Sequence, residues 1–140
     1  MPAISPGMRE KKRILVVDDD PDLLDSLNRL LRADYEVISA LDGVEALARI
    51  RAEHFDVLLL DLVMPLLDGA LLKRIMDALG WRIPVIVLSA TPDLASTAQD
   101  IGAAEHVRKP CDPVDLTATV ARVIGAGGPD STPVPAGPTS

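Results

Sequence analysis

Polar side chains directly follow four stretches that are typical of buried β-strands, and their types suit metal and phosphoryl chemistry. They are Asp18 and Asp19 after residues 14–17, Asp61 after 57–60, Ser89 after 85–88 and Lys109 after 104–108. If these stretches are parallel strands of one sheet, their carboxyl ends converge on a single crevice. Three carboxylates, a hydroxyl and an ammonium in one place suit a divalent cation and a phosphoryl group.

The carboxylates predict a magnesium site. Carboxylates brought together repel each other unless a cation offsets their charge. Magnesium prefers oxygen ligands, accepts one or two protein carboxylates, and leaves its other positions to water and phosphate oxygens. Helix capping is the simpler explanation of an acidic run, and it suits Asp20 before Pro21. A cap does not require Asp18 or Asp19.

Asp61 ends an apolar strand, so its carboxylate is expected on the floor of the crevice. A carboxylate there can attack a phosphoryl group and become an acyl phosphate, or it can serve as a second metal ligand, and both roles are compatible. Lys109 offers a positive charge and Ser89 a hydroxyl donor for phosphoryl oxygens. Taken singly, such residues are more often a surface lysine and a serine before a helix.

The elements that must position these residues alternate five times between strand and helix. The predicted strands are 14–17, 35–39, 56–60, 84–88 and 104–108, and the predicted helix caps are Asp20, Asp42, Asp68, Thr91 and Asp112. Such alternation implies right-handed βαβ crossovers and a parallel sheet covered by helices on both faces. The expected fold is therefore α/β. The second helix is expected to pack inward through Val44, Leu47, Ala48 and Ile50.

Composition and charge argue against several other classes of function. The chain has 140 residues, 48% apolar, with 21 acids against 14 bases and a net charge of −7. An acidic surface disfavours direct nucleic-acid binding, and no apolar run reaches the length of a membrane span. Cys111 is the single cysteine, which excludes an internal disulfide, and a cytoplasmic location is expected.

The composition also predicts the domain boundaries. Residues 1–12 are expected to form a flexible leader, 13–124 one compact domain and 125–140 a disordered tail rich in Pro and Gly. The short stretch after the last predicted helix is too small for an output domain, which favours a stand-alone protein. A fragment of a longer regulator is the alternative.

Four sequence segments together resemble the receiver domain of two-component response regulators. They are Ile14-Leu-Val-Val-Asp-Asp-Asp20, Asp61-Leu-Val-Met-Pro-Leu-Leu-Asp-Gly69, Val87-Leu-Ser-Ala90 and Gly102-Ala-Ala-Glu-His-Val-Arg-Lys-Pro110. The resemblance covers about residues 12–124. It implies a (βα)₅ fold with a flavodoxin-like strand order 2-1-3-4-5.

The resemblance also implies roles for individual residues. Asp61 would be the phosphoacceptor, with Asp18, Asp19 and the Val63 carbonyl holding Mg²⁺. Ser89 and Lys109 would bind the phosphoryl oxygens. The phosphodonor would be a histidine kinase or a histidine phosphotransfer protein. The face formed by the fourth helix, fifth strand and fifth helix would then change and control a downstream protein target.

Three positions depart from the usual family pattern. His106 stands where a switching aromatic is common, and it is either a pH-sensitive switch or a half-buried strand histidine. Cys111 replaces a frequent Phe and is either a small filler or a redox-sensitive thiol. Val63 cannot orient a hydrolytic water, which predicts slow self-dephosphorylation. The Lys109-Pro110 bond is a candidate cis peptide.

Two other classes of function remain open from the sequence. A magnesium-dependent phosphohydrolase of the haloacid-dehalogenase type would use Asp18 as nucleophile and Asp20 as general acid, although Asp20 is better placed as a cap. A pseudo-receiver would bind partners without phosphate. Gly-rich nucleotide loops are absent, so neither ATP nor NAD binding is indicated.

Overall fold

The computed structural model describes residues 11–63 and 68–126, which form a parallel five-stranded sheet with five helices. The strands are β1 (Arg13–Val17), β2 (Glu36–Ala40), β3 (Val57–Asp61), β4 (Val85–Ser89) and β5 (Glu105–Arg108). The helices are α1 (Pro21–Leu31), α2 (Gly43–Ala52), α3 (Gly69–Ala78), α4 (Leu94–Asp100) and α5 (Pro113–Ala126). The sheet order is β2-β1-β3-β4-β5, which confirms the predicted fold.

The helices cover both faces of the sheet and create two cores. One core contains buried residues of α2, α3 and α4, and the other contains buried residues of α1 and α5. Alternate side chains of β3 enter different cores: Leu58 and Leu60 the first, Val57 and Leu59 the second. A strand buried on both faces must be apolar at every position, which explains the continuous run before Asp61.

Acidic caps begin several helices where the sequence predicts them. The Asp20 carboxylate accepts from the Asp22 amide at 3.0 Å, and Asp42 accepts from the Glu45 amide at 2.7 Å. Asp112 accepts from the Val114 amide at 2.8 Å. These bonds satisfy amides that have no partner within their own helix.

The predicted beginning of α4 is wrong. The helix starts at Leu94, and Thr91 does not cap it. The Thr91 hydroxyl instead lies 2.6 Å from the Ser89 hydroxyl, so a bond toward the end of β4 replaces the expected cap.

The buried face of α2 and the end of α5 also differ from expectation. Val44 and Ala48 of α2 are exposed, while Ala46 is buried. The short apolar pattern of this helix fits two faces, and packing against the sheet selects the one that contains Ala46. At the other end of the chain, Gly125 and Ala126 belong to α5 rather than to the tail. No proline interrupts the helix before Pro129.

Register places the predicted site residues at the same edge of the sheet. The Cα atom of Asp61 pairs with that of Leu88, and Ser89 pairs with Arg108. The expectations for residues 1–10, Met64-Pro65 and 127–140 lie outside the described residues. Within the described part, no helix is both long and apolar enough to cross a membrane.

Candidate functional site

Three carboxylates meet at the carboxyl ends of β1 and β3. Oxygen atoms of Asp18, Asp19 and Asp61 all lie within 4.8 Å of one another. Asp18 is 2% exposed and Asp61 6% exposed, whereas Asp19 faces solvent. The topology thus brings together the carboxylates of two strands that the sequence separates by about forty residues.

Lys109 supplies the positive charge of this cluster. Its Nζ atom lies 2.6 Å from Asp18 Oδ2 and 3.5 Å from Asp61 Oδ2, and its side chain is 24% exposed. Burial alone would lower the pKa of Lys109, but the hydrogen bond to Asp18 and the charge of Asp61 outweigh it. The pKa of Lys109 therefore lies above its ordinary value, and the side chain stays protonated at neutral pH.

A backbone amide just after β3 holds the Asp61 carboxylate in place, and burial disfavours its ionised form. The Val63 amide donates to Asp61 Oδ1 at 3.1 Å. Burial, with a further contribution from the Asp18 charge, raises the pKa of Asp61, although the Val63 amide and Lys109 oppose that shift. A cation bound beside Asp61 would therefore favour its ionised form and offset the effect of burial.

Ser89 is buried at the end of β4, and its hydroxyl hydrogen-bonds to Thr91. The Thr91 amide donates to Ser89 Oγ at 3.1 Å, and the two hydroxyl oxygens lie 2.6 Å apart. The next strand is tied to the same point, since the Lys109 amide donates to the Ser89 carbonyl at 3.0 Å. Ser89 and Lys109 are thus fixed to each other through the backbone, at the edge of the sheet where Asp61 ends β3.

Gly69 supports Asp61 in a way that the sequence analysis did not recognise. Its amide donates to the Leu62 carbonyl at 3.1 Å. A Cβ atom at this position would lie 2.5 Å from the Asp61 carbonyl oxygen and 2.9 Å from Leu62 Cα. Only glycine permits α3 to begin this close to the end of β3. The Asp-Gly pair at 68–69 was the available signal.

His106 and Cys111 lie beside the site without entering the carboxylate cluster. His106 is exposed on β5, so the expectation that it could be half-buried is wrong. The reason is that β5 is an edge strand whose alternate side chains face outward. Cys111 is free and half-buried against the second core, and burial raises the pKa of its thiol. The Lys109-Pro110 peptide bond is cis.

The donor set fits a hard divalent cation such as magnesium. The three clustered side chains offer only carboxylate oxygens, and Asp19 remains open to solvent. Three negative charges against the single charge of Lys109 leave an excess that a divalent ion would neutralise. Asp18, Asp19 and Asp61 could hold the ion, with water and phosphate oxygens filling the remaining positions.

Known proteins share this arrangement of elements. A receiver domain protein of Methanospirillum hungatei described as CheY-like superimposes with a TM-score of 0.79 at 30% identity, covering 84% of this chain and 97% of that one. The receiver domain of a Francisella response regulator superimposes with a TM-score of 0.78 at 28% identity, covering 84% of this chain and all of that one.

Sequence comparison reaches the same group of proteins. The transcriptional regulatory protein PrrA of Mycobacterium tuberculosis is 38% identical over 123 residues, which cover 86% of this chain and 53% of PrrA. The probable transcriptional regulator ycf27 of Cyanophora paradoxa is 39% identical over 121 residues, which cover 81% of this chain and 48% of ycf27. The chain spans about half the length of these relatives. The sequence profile of the response regulator receiver domain matches residues 14–121. The chain belongs to the response regulator receiver domain family.

Proposed function

We propose that this receiver domain accepts a phosphoryl group on Asp61 from the phosphohistidine of a histidine kinase or phosphotransfer protein, in a magnesium-dependent reaction. The observation that carries the proposal is the pairing of the buried Asp61 carboxylate with Lys109 at 3.5 Å, beside the acidic residues that follow β1. Signalling is its role, and the only reactions it promotes are its own phosphorylation and dephosphorylation.

The chemistry assigned to Asp61 is a direct displacement at phosphorus. One Asp61 carboxylate oxygen forms the new bond to phosphorus while the bond from phosphorus to the donor imidazole nitrogen breaks, and the electron pair leaves with that nitrogen. Lys109 and the Ser89 hydroxyl would bind oxygens of the transferred group. Magnesium, when bound, would neutralise charge on those oxygens.

Two features favour this group transfer over hydrolysis of an external substrate. Lys109 Nζ lies 2.6 Å from Asp18 Oδ2 but 3.5 Å from Asp61 Oδ2, so Asp18 is the more tightly paired of the two carboxylates. Asp20 in turn caps α1, so it is not positioned as a free general acid. Asp18 and Asp20, which a phosphohydrolase would use as nucleophile and general acid, therefore already make structural contacts.

The output is assigned to the face made by α4, β5 and α5. Its exposed polar groups include His106 and Arg108 of β5, which offer contacts for a downstream protein. His106 would be the residue whose position on this face follows phosphorylation. The match covers about half of each relative, and these relatives are transcriptional regulators; for this domain we propose a protein target and no direct contact with nucleic acid. We propose the cytoplasm as the place where this domain acts.

Intact-protein mass after incubation with acetyl phosphate tests the phosphoacceptor role. We expect a gain of one phosphoryl group that requires magnesium and is absent in Asp61→Asn. Asp20→Asn is a matched control, since it makes the same change of charge at a carboxylate that caps a helix, and we expect it to be phosphorylated. No gain in the wild type under an excess of donor would overturn the proposal and favour a phosphate-independent module.

A further inference from the structure

Arg108 holds the turn between β4 and α4 from the neighbouring strand. Its Nη1 donates to the Thr91 carbonyl at 2.8 Å, and its Nη2 donates to the Pro92 carbonyl at 3.4 Å. Arg108 is itself in register with Ser89, so the side chain reaches from the end of β5 over the end of β4. One guanidinium thus fixes two successive carbonyls of this turn.

Among the described residues, the side chains that hydrogen-bond to this turn are those of Arg108 and of Ser89, at the end of β4. Asp93 occupies the cap position of α4 but makes no side-chain capping bond. By contrast, the acidic caps of α1, α2 and α3 each accept from a backbone amide of their own helix. Since α4 lacks this anchor, the contact from Arg108 supplements the bonds from Ser89 that hold Thr91.

Thr91 in turn determines which hydrogen bonds the Ser89 hydroxyl can still make. A serine hydroxyl has two acceptor positions and a single hydrogen. The Thr91 amide fills one acceptor position, and the Thr91 hydroxyl, when it donates, fills the other. The hydrogen of Ser89 is then left for an oxygen of a bound phosphoryl group, and the two incoming donors strengthen its donation.

We propose that Arg108 is a positioning residue for phosphoryl acceptance, acting through the Thr91 carbonyl and hydroxyl on Ser89. The inference rests on the proposed function, because the Ser89 hydroxyl is useful only if a phosphoryl oxygen is present to accept its hydrogen bond. The guanidinium of Arg108 hydrogen-bonds to the turn and not to the acidic cluster, so its effect passes through the turn. The planar fork of arginine suits two adjacent carbonyls, and a lysine would reproduce only part of that contact.

The test is the initial rate of phosphorylation of the full chain by acetyl phosphate with excess magnesium. We expect Arg108→Gln to lower the rate about 3- to 10-fold, the effect of one lost hydrogen bond, and Arg108→Lys to restore part of it. Arg122→Gln is the matched control, since Arg122 is also an exposed arginine that bonds Glu105 and Thr119 rather than the turn. We expect the rate of this control to stay close to that of the wild type.

A double substitution separates positioning through Thr91 from a general effect of charge. Thr91→Val removes the hydroxyl and should lower the rate by itself, and adding Arg108→Gln should lower it little further. The role of Arg108 would be overturned if the rate losses of Thr91→Val and Arg108→Gln multiplied in the double variant, or if Arg108→Gln and Arg122→Gln had equal rates. Either result would leave the phosphoacceptor role intact. A wild type that gains no phosphoryl group would overturn both. Circular dichroism of each variant confirms that the fold is kept.

Discussion

Lys109 and Asp18 are joined by an ion pair of 2.6 Å across 91 positions of the chain. The contact ties the end of β5 to the end of β1, two strands that are not neighbours in the sheet. Because Asp18 is almost fully buried, the pair is better shielded from water than a surface ion pair. It is therefore a structural contact as well as part of the site that receives the phosphoryl group.

Replacing Lys109 should destabilise the fold. We expect Lys109→Met to lower the free energy of unfolding at pH 7 by about 1–3 kcal/mol, because it leaves buried carboxylate oxygens without their hydrogen-bond donor. Urea unfolding without divalent ions measures this loss. Lys73→Met is the control: Lys73 is also largely buried, but its partner Asp77 is exposed and stays hydrated. An equal loss in both variants would contradict a special role for the Lys109 pair.

The raised pKa of Asp61 predicts how stability depends on pH without divalent ions. The folded protein binds this proton more tightly than the unfolded chain, so the contribution of Asp61 is most favourable below the ordinary aspartate pKa. That contribution decreases as the pH rises toward the folded pKa of Asp61. We therefore expect Asp61→Asn to be more stable than the wild type at pH 7, with the difference shrinking as the pH falls. Parallel urea titrations at several pH values measure it, and a less stable Asp61→Asn at pH 7 would argue against the assignment.

Magnesium binding should depend on Asp19 although Asp19 contributes little to folding. Asp19 is exposed, so Asp19→Asn should change stability by less than about 0.5 kcal/mol. The affinity of the Asp19→Asn variant for magnesium should fall roughly tenfold or more, because a contact to a charged group is lost. Isothermal titration calorimetry measures the affinity. Asp20→Asn is the control and should bind magnesium normally, since asparagine caps helices as well as aspartate.

The positions of the site residues were predictable because each follows a strand. Asp18, Asp61, Ser89 and Lys109 are each within one residue of a strand end, and parallel topology alone brings such ends together. The beginning of α4 was not predictable in the same way. Thr91 suits a helix cap and a bond to Ser89 equally well, and only the position of the neighbouring strand decides between them. The contact of Arg108 with the turn has no local sequence signal at all.

The close approach of Gly69 to Asp61 gives a further prediction. Gly69→Ala should cost about 1–3 kcal/mol of stability, because the new Cβ would overlap the Asp61 carbonyl oxygen and force β3 and α3 apart. Phosphorylation should slow with it, since the same shift moves the Asp61 carboxylate. Thermal unfolding is the measurement. Gly125→Ala, in the open last turn of α5, is the control and should leave stability unchanged or slightly raise it.

Val63 should set the lifetime of the phosphorylated form. The side chain is 67% exposed and apolar, so it cannot hold a water molecule for attack on the acyl phosphate. Val63→Asn should shorten the lifetime by up to about tenfold, the effect of one hydrogen bond to that water. Val114→Asn changes another highly exposed valine, 74% exposed, at the start of α5 and should leave the lifetime unchanged. Decay of phosphorylated protein, followed by intact mass, compares the two; an unchanged lifetime in Val63→Asn would refute the explanation.

The identity of the phosphorylated residue tests the account most directly. Borohydride reduction of the phosphorylated protein converts an aspartyl phosphate to homoserine, and peptide mass spectrometry then locates the reduced position. We predict homoserine at Asp61 alone, with Asp18 and Asp19 unchanged. Homoserine at Asp18 would contradict the account, because the nucleophile would then follow β1 and the protein would resemble an aspartate-dependent phosphohydrolase.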